Sequence, residues 1–231
     1  MDLGPEGAKQ AWSRLVGLTV LDGFQVVVDP KSPIAPRGWI GILVVAETIT
    51  ASVPTPDLEQ PVAAALADLT SHEATRPDVV VPRLPPTGAT LGPAMLFYPS
   101  KRFSPTQIAD VEQVSNDELA ALFEAVAPDE IDESGMREIT SWAIGSRSTT
   151  GVLAAVSGYR HWPNHVAHLS VLTHPAFRRQ GHGRRVATAA IQRAMEEDLL
   201  PQWRARPAAS QAVARSLGLV QLGAQFSLEP A

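Results

Sequence analysis

Between Leu172 and Glu196 the chain must end an apolar strand, pass through a basic, glycine-bearing turn and open a helix. That order commits it to a fold in which a sheet strand feeds a helix that packs back on the sheet. Arg178, Arg179, Gly181, Gly183 and Arg184 sit at the turn. Glycine reaches backbone angles closed to other residues and lets a ligand approach the main chain. The first helical turn offers amides without intrahelical partners, and the positive end of the dipole lies there. With three arginines added, the segment reads as an anion cradle. The helix that follows is amphipathic: Val186, Ala187, Ala190, Ile191, Ala194 and Met195 recur at helical spacing, and Arg184, Gln192, Arg193, Glu196 and Glu197 are left for solvent.

Composition limits what the anion can be. The 231 residues are 45% hydrophobic and 19% charged, which is ordinary for a globular protein and long enough for one large domain or two small ones. A net charge of -5 and a pI near 5.7 argue against a broad phosphate-backbone footprint, so the arginines at the turn are ligand-sized and no nucleic acid is expected. Zero cysteines exclude disulfides, thiolate metal sites and a cysteine nucleophile. No run of 18 apolar residues exists, and the first residues have neither a basic segment nor an apolar core, so a cytoplasmic protein with no membrane contact is expected.

Two phosphate-binding devices fail on spacing. The dinucleotide fingerprint G-x-G-x-x-G wants a third glycine where this chain has Val186, and no Gly-Lys-Ser/Thr follows at the P-loop distance. What remains is Arg178-x-x-Gly181-x-Gly183 after Thr173-His174-Pro175 and an apolar strand. This pattern closely resembles the acetyl-CoA signature of the GNAT superfamily of N-acetyltransferases, Q/R-x-x-G-x-G/A following a strand. The resemblance implies that the turn, Arg178, Arg179, Gln180, Gly181, His182, Gly183 and Arg184, holds the pyrophosphate of CoA. It also implies that main-chain groups of Val171, Leu172 and Thr173 pair with the pantetheine arm. The competing reading is a strand-turn-helix that merely needed its glycines.

The resemblance extends over roughly residues 106 to 231. Ser141–Ile144 and Val152–Val156 read as a hairpin, with Tyr159–Trp162 ending its second strand. Val166–Thr173 is the central strand, and Leu199–Arg204 a short one. Pro207 suits the first position of a helix with Ala209, Val213 and Leu217 inward and Gly218 as its stop, and Leu219–Leu228 supplies closing strand. That ending is similar to the family's, with two departures. Pro207 replaces its common asparagine, and Ala214 stands where many members carry the tyrosine that protonates the leaving thiolate.

Ahead of this region, Pro5–Leu18 opens with a helix, and Phe24–Val28, Trp39–Val45 and Thr48–Val53 read as strands. Asp57 is a candidate cap for a helix over Leu58–Leu69. Residues 77–90 are proline-rich and weakly periodic, and Ala94–Tyr98 returns to strand. Ser115 followed by Glu118 forms a capping-box pattern, and Pro128–Glu133 is an acidic loop or short helix. The expectation is a mixed α/β (α+β) protein. The resemblance implies that residues 106–231 form a GNAT-like acyl-CoA N-acyltransferase fold, with residues 1–105 expected to be an additional N-terminal α/β domain, either a degenerate GNAT-like half or part of the acceptor pocket.

The chemistry the resemblance implies is direct attack by a neutral amine on the thioester of acetyl-CoA, with a base to take the ammonium proton. His168 is the first candidate, since imidazole titrates near neutrality, and a satisfied core histidine is the alternative. His165 and Glu130 are reserves. Ser210 can protonate the thiolate or cap its helix. Tyr159, Trp162 and Trp203 can wall an acceptor pocket or simply pack. Five histidines lie between His161 and His182, but their spacing matches no zinc pattern and no metal is expected. The expected acceptor is the primary amine of a small molecule, with protein amines and a homodimer left open. A CoA-binding regulatory or structural protein and a nucleotide-phosphate binder are the competing functions.

Overall fold

The computed structural model describes residues 3–18, 22–103 and 110–231. In chain order the elements are α1 (Pro5–Leu15), β1 (Phe24–Val28), β2 (Ile40–Val45), β3 (Thr48–Val53), α2 (Glu59–Leu66), α3 (Pro77–Val80), β4 (Thr87–Tyr98), β5 (Glu112–Gln113), α4 (Asn116–Glu124), α5 (Pro128–Ser134), β6 (Ile144–Arg147), β7 (Leu153–Trp162), β8 (Val166–Thr173), α6 (His182–Glu196), β9 (Leu200–Ala205), α7 (Ala208–Ser216) and β10 (Val220–Pro230). The architecture is mixed α/β. No helix among the described residues is long and apolar enough to cross a membrane.

The chain forms two compact units. One takes the elements up to Tyr98 together with Arg204–Gln211 and Val220–Ala231; the other takes Pro99–Trp203 and Ala212–Leu219. The sequence-based boundary between residues 105 and 106 lies outside the described residues. Both units are discontinuous because β10 runs antiparallel to both β2 and β4, which draws the C-terminal strand into the company of the N-terminal elements.

In the first unit the strand order is β1-β3-β2-β10-β4, with β1 parallel to β3 and the other neighbours antiparallel. Every residue of β2 and β3 is buried, as the unbroken apolar run Ile40–Val45 requires of a strand covered on both faces. One face packs Ile42, Val44, Ala51 and Val53 against Val62 and Leu66 of α2. Asp57 does not cap α2. It falls in a short 3-10 turn, Pro56–Leu58, that leads into the helix without a side-chain cap. β4 begins at Thr87, earlier than the proline-rich sequence suggests, because pairing with β10 from Thr87↔Pro230 onward imposes the extended form.

The second unit carries the glycine turn. Its strand order is β9-β8-β7-β6-β5, all antiparallel except β8 with β9. The β6–β7 hairpin sits a few residues later than its sequence reading: Ser141–Ala143 precede β6, and β7 starts at Leu153. The physical reason is that Ser141 is used as a support, its Oγ accepting from Tyr159 N at 2.9 Å. α6 lies on this sheet with Val186, Ala187, Ala190, Ile191 and Ala194 fully buried, each large aliphatic contributing about 1.5–3 kcal/mol. On the other face α4 and α5 bring Leu122 and Ile131 into a cluster with Val156 and Leu172. The Ser115–Glu118 capping box is formed in both directions.

α7 spans the division between the units. Its buried residue is Ala214, whereas Ala209 is exposed, so the inward face is turned from the Ala209–Val213–Leu217 stripe read from sequence. Pro207 stands just before the helix, its carbonyl accepting the first bond from Gln211 N at 3.1 Å. Gly218 follows at φ 78°, the left-handed stop expected there.

Candidate functional site

The site is built on β8 and the turn that leaves it. In an antiparallel ladder the main-chain groups of successive residues point alternately to the two sides. His174 N donates to Ala154 O at 2.9 Å, so even-numbered residues of β8 turn toward β7. Leu200 N donates to His165 O at 2.7 Å, so odd-numbered residues turn toward β9. β9 accompanies β8 only through the pairs Val166–Leu200, Ala167–Pro201 and His168–Gln202, although β8 continues to Thr173. The main-chain groups of Val171 and Thr173 therefore face an edge that β9 has left. Leu172, expected to join them as a main-chain ligand, instead pairs with Val156 of β7 and buries its side chain in the apolar cluster.

Beyond Thr173 the turn is held by its own contacts. A 3-10 turn, Pro175–Phe177, is fixed by Ala176 N donating to His174 Nδ1 at 3.1 Å, and Gln180 Nε2 donates to Ala176 O at 3.3 Å. Arg179 has φ 62° and Gly181 φ 85°, so the chain takes two left-handed steps before α6 begins. The helical ladder opens with Arg185 N donating to Gly181 O at 3.0 Å, which leaves the amides of His182, Gly183 and Arg184 outside it. Gly183 lies close to the strand end: a Cβ there would stand 3.0 Å from Thr173 Oγ1, so a larger residue would oblige that side chain to shift. The helix thus presses close to the end of β8, with its free amides at the mouth of the open edge.

The side chains of the turn divide. Arg179 and Arg184 are exposed. Arg178 Nη2 is bonded to Glu130 Oε2 of α5 at 2.8 Å. Glu130, a reserve base in the sequence reading, is therefore the partner of a cradle arginine. His182 is turned inward, with Nδ1 2.9 Å from Ser146 Oγ, and Arg185 Nη1 donates to the same oxygen at 3.2 Å. Burial, and secondly the charge of Arg185, hold the His182 imidazole below its usual pKa. Its amide is one of the three left outside the helical ladder.

His168 lies at the last shared rung of β8 and β9. Its ring stacks on Trp162 with centroids 4.4 Å apart and planes 12° apart, and Nδ1 is 3.0 Å from Gln202 Oε1. The tautomer that donates from Nδ1 to this amide oxygen carries its basic lone pair on Nε2. Gln202 is 1% exposed. His165 is exposed in the β7–β8 turn, at the end of β8 away from the glycines. Tyr159 Oη donates to Glu197 Oε2 at 2.7 Å; burial and then Glu197 push its pKa up, so the phenol is a structural donor. Trp203 is buried. Ser210 is the third residue of α7 and belongs to the other compact unit.

Three contributors went unread in the sequence: Ser146, Gln202 and the Glu130–Arg178 pair. Gln202 left a signal, a polar residue inside the otherwise apolar Leu199-Leu-Pro-Gln-Trp203. Ser146 and Glu130 left none, because their partners lie 36–48 residues away. Among the described residues no group of three or more acidic or histidine side chains is arranged to hold a metal.

The family model described as GNAT acetyltransferase matches residues 148–224, which run from the β6–β7 connection to the middle of β10. No curated protein matches the chain. A solved structure from Novosphingobium aromaticivorans, described as an acetyltransferase from the GNAT family, aligns at TM-score 0.50 and 17% identity over 62% of this chain and 65% of its own. A GNAT-family acetyltransferase from Colwellia psychrerythraea aligns at 0.50 and 14% over 67% and 60%. The chain thus spans less than two thirds of either relative's length, and identities this low speak to fold alone. The GNAT acetyltransferase model thus covers the stretch that carries the glycine turn, and the fold around it is similar to that of the two GNAT-family structures.

Proposed function

We propose that the protein is an acetyl-CoA-dependent N-acetyltransferase acting on a primary amine of a small molecule in the cytoplasm. The observation that carries this reading is the edge of β8 past His168, which runs without β9 into a turn lined by the amides of His182, Gly183 and Arg184. A diphosphate suits those amides, the helix dipole and the exposed Arg179 and Arg184. An amide-bearing arm suits the main chain of Val171 and Thr173 on the side that β9 leaves, which it meets as an added strand would.

In this reading the acceptor amine attacks the thioester carbonyl directly. The Val171 N–H stabilises the tetrahedral oxyanion. His168 takes the proton from the amine nitrogen through Nε2, with Gln202 fixing the tautomer and Trp162 the ring plane. The C–S bond then breaks, and the thiolate takes a proton from solvent. Ser210 is not needed, and Ala214, fully buried and without a hydroxyl, supplies no acid.

Release of free thiol from acetyl-CoA against a panel of amines tests the proposal. Amine-dependent thiol release supports it. Tight CoA binding without release on any amine would favour a regulatory CoA-binding protein, the reading that Ala214 motivates. A calorimetric preference for ATP or NADPH would remove acetyl-CoA as donor.

A further inference from the structure

The Arg178–Glu130 contact has the geometry of a cradle already holding a carboxylate. Arg178 opens the glycine turn, and its guanidinium is the group best placed by sequence to meet a phosphate. Glu130 Oε2 accepts from its Nη2 at 2.8 Å, across 48 residues of chain. The pair is not a chance meeting of two loose side chains. Ile131, the next residue, is 2% exposed and packs in the cluster that contains Leu172 of β8. α5 is therefore fixed in the core beside the strand whose edge the thioester would follow. Glu130 is carried with it to the turn.

We propose that Glu130 sets the affinity of the cradle for acetyl-CoA by holding Arg178 as an internal counter-anion. The inference rests on the acetyl-CoA reading of the site. A diphosphate entering the turn either takes Arg178 from Glu130 or shares the guanidinium with it. In both cases part of the guanidinium's charge is already engaged by Glu130. Arginine has five donors, so sharing is sterically open, but a guanidinium already paired attracts the diphosphate less strongly. The consequence is weaker binding and easier departure of the product CoA, which carries the same diphosphate. Glu130 acts on the reaction through Arg178 and is a positioning residue, not the base.

The test is calorimetric titration of CoA into the full-length protein and into Glu130→Gln, Arg178→Ala and the double variant. Glu130→Gln is expected to bind CoA about three- to tenfold more tightly at low salt, as removal of one partly exposed charge should give. The gain is expected to shrink at high salt and to fall below about twofold on the Arg178→Ala background. If turnover is found, the midpoints of the pH profile should not move in Glu130→Gln, whatever product release does to the height of kcat, which a general base could not show. Equal or weaker binding by Glu130→Gln overturns the proposal, as does a gain that persists without Arg178. Failure of the unaltered protein to bind CoA would overturn the acetyl-CoA reading itself, a separate result.

Discussion

His168 and Gln202 face each other across the last rung that β8 and β9 share, with Nδ1 3.0 Å from Oε1, and beyond them the two strands no longer pair. The same rung fixes the imidazole and starts the open edge. If His168 is the base, His168→Ala should lower kcat about 10²–10⁴-fold and abolish the acidic limb of the rate profile. Gln202→Leu should give a smaller loss, because the ring keeps its stack on Trp162 but loses its tautomer lock. A normal pH profile for His168→Ala would remove it from the mechanism.

Gly183 lies against the end of β8. Gly183→Asp adds a Cβ 3.0 Å from Thr173 Oγ1 and a carboxylate at the turn amides. CoA binding should weaken well over about tenfold, since an internal anion would compete for those donors. Unchanged affinity by calorimetry would mean that the diphosphate binds elsewhere.

The capping box of α4 gives the fold a signature at acidic pH. The Ser115 backbone N–H, and after it the Arg147 guanidinium, hold Glu118 down to a pKa of about 2, from an ordinary 4.5. A carboxylate depressed in the folded state stabilises fully above the unfolded value and loses that contribution as pH falls toward the folded one. The stability difference between the native protein and Glu118→Gln should therefore narrow between pH 4.5 and about 2. A difference constant across that window would contradict the assignment. Ser115→Ala should cost about 1 kcal/mol in denaturant unfolding at neutral pH.

Tyr159 separates packing from substrate recognition. Its ring is buried and its hydroxyl bonds Glu197, which Arg193 also holds at 2.7 Å. Tyr159→Phe should lower stability by about 1.5–3 kcal/mol, the range for a hydrogen bond to a charged group, and leave the acceptor KM unchanged. A rise in KM with stability intact would return Tyr159 to the acceptor pocket.

The parts legible in sequence were those fixed by local chemistry. The glycine turn, the apolar stripe of α6 and the Ser115–Glu118 cap each follow from residues a few positions apart, and each is present. Parts that depend on distant partners were displaced or missed. Ser141 reads as strand in sequence but lends its hydroxyl to Tyr159 N, and residues 87–90 read as weakly periodic but are extended by pairing with β10. Glu130 carried no sign of Arg178, since an acidic surface helix reads the same whether or not a guanidinium waits opposite. α7 shows how small the margin is: its period was correct, but its inward face is centred on Ala214.

The central claim concerns where one ligand lies, so a crystal structure grown with CoA tests it most directly. The account predicts the diphosphate on the amides of His182, Gly183 and Arg184, and the pantetheine arm beside Val171 and Thr173 on the edge that β9 leaves. Density for CoA at any other place, or that edge closed by side chains in the complex, would contradict it.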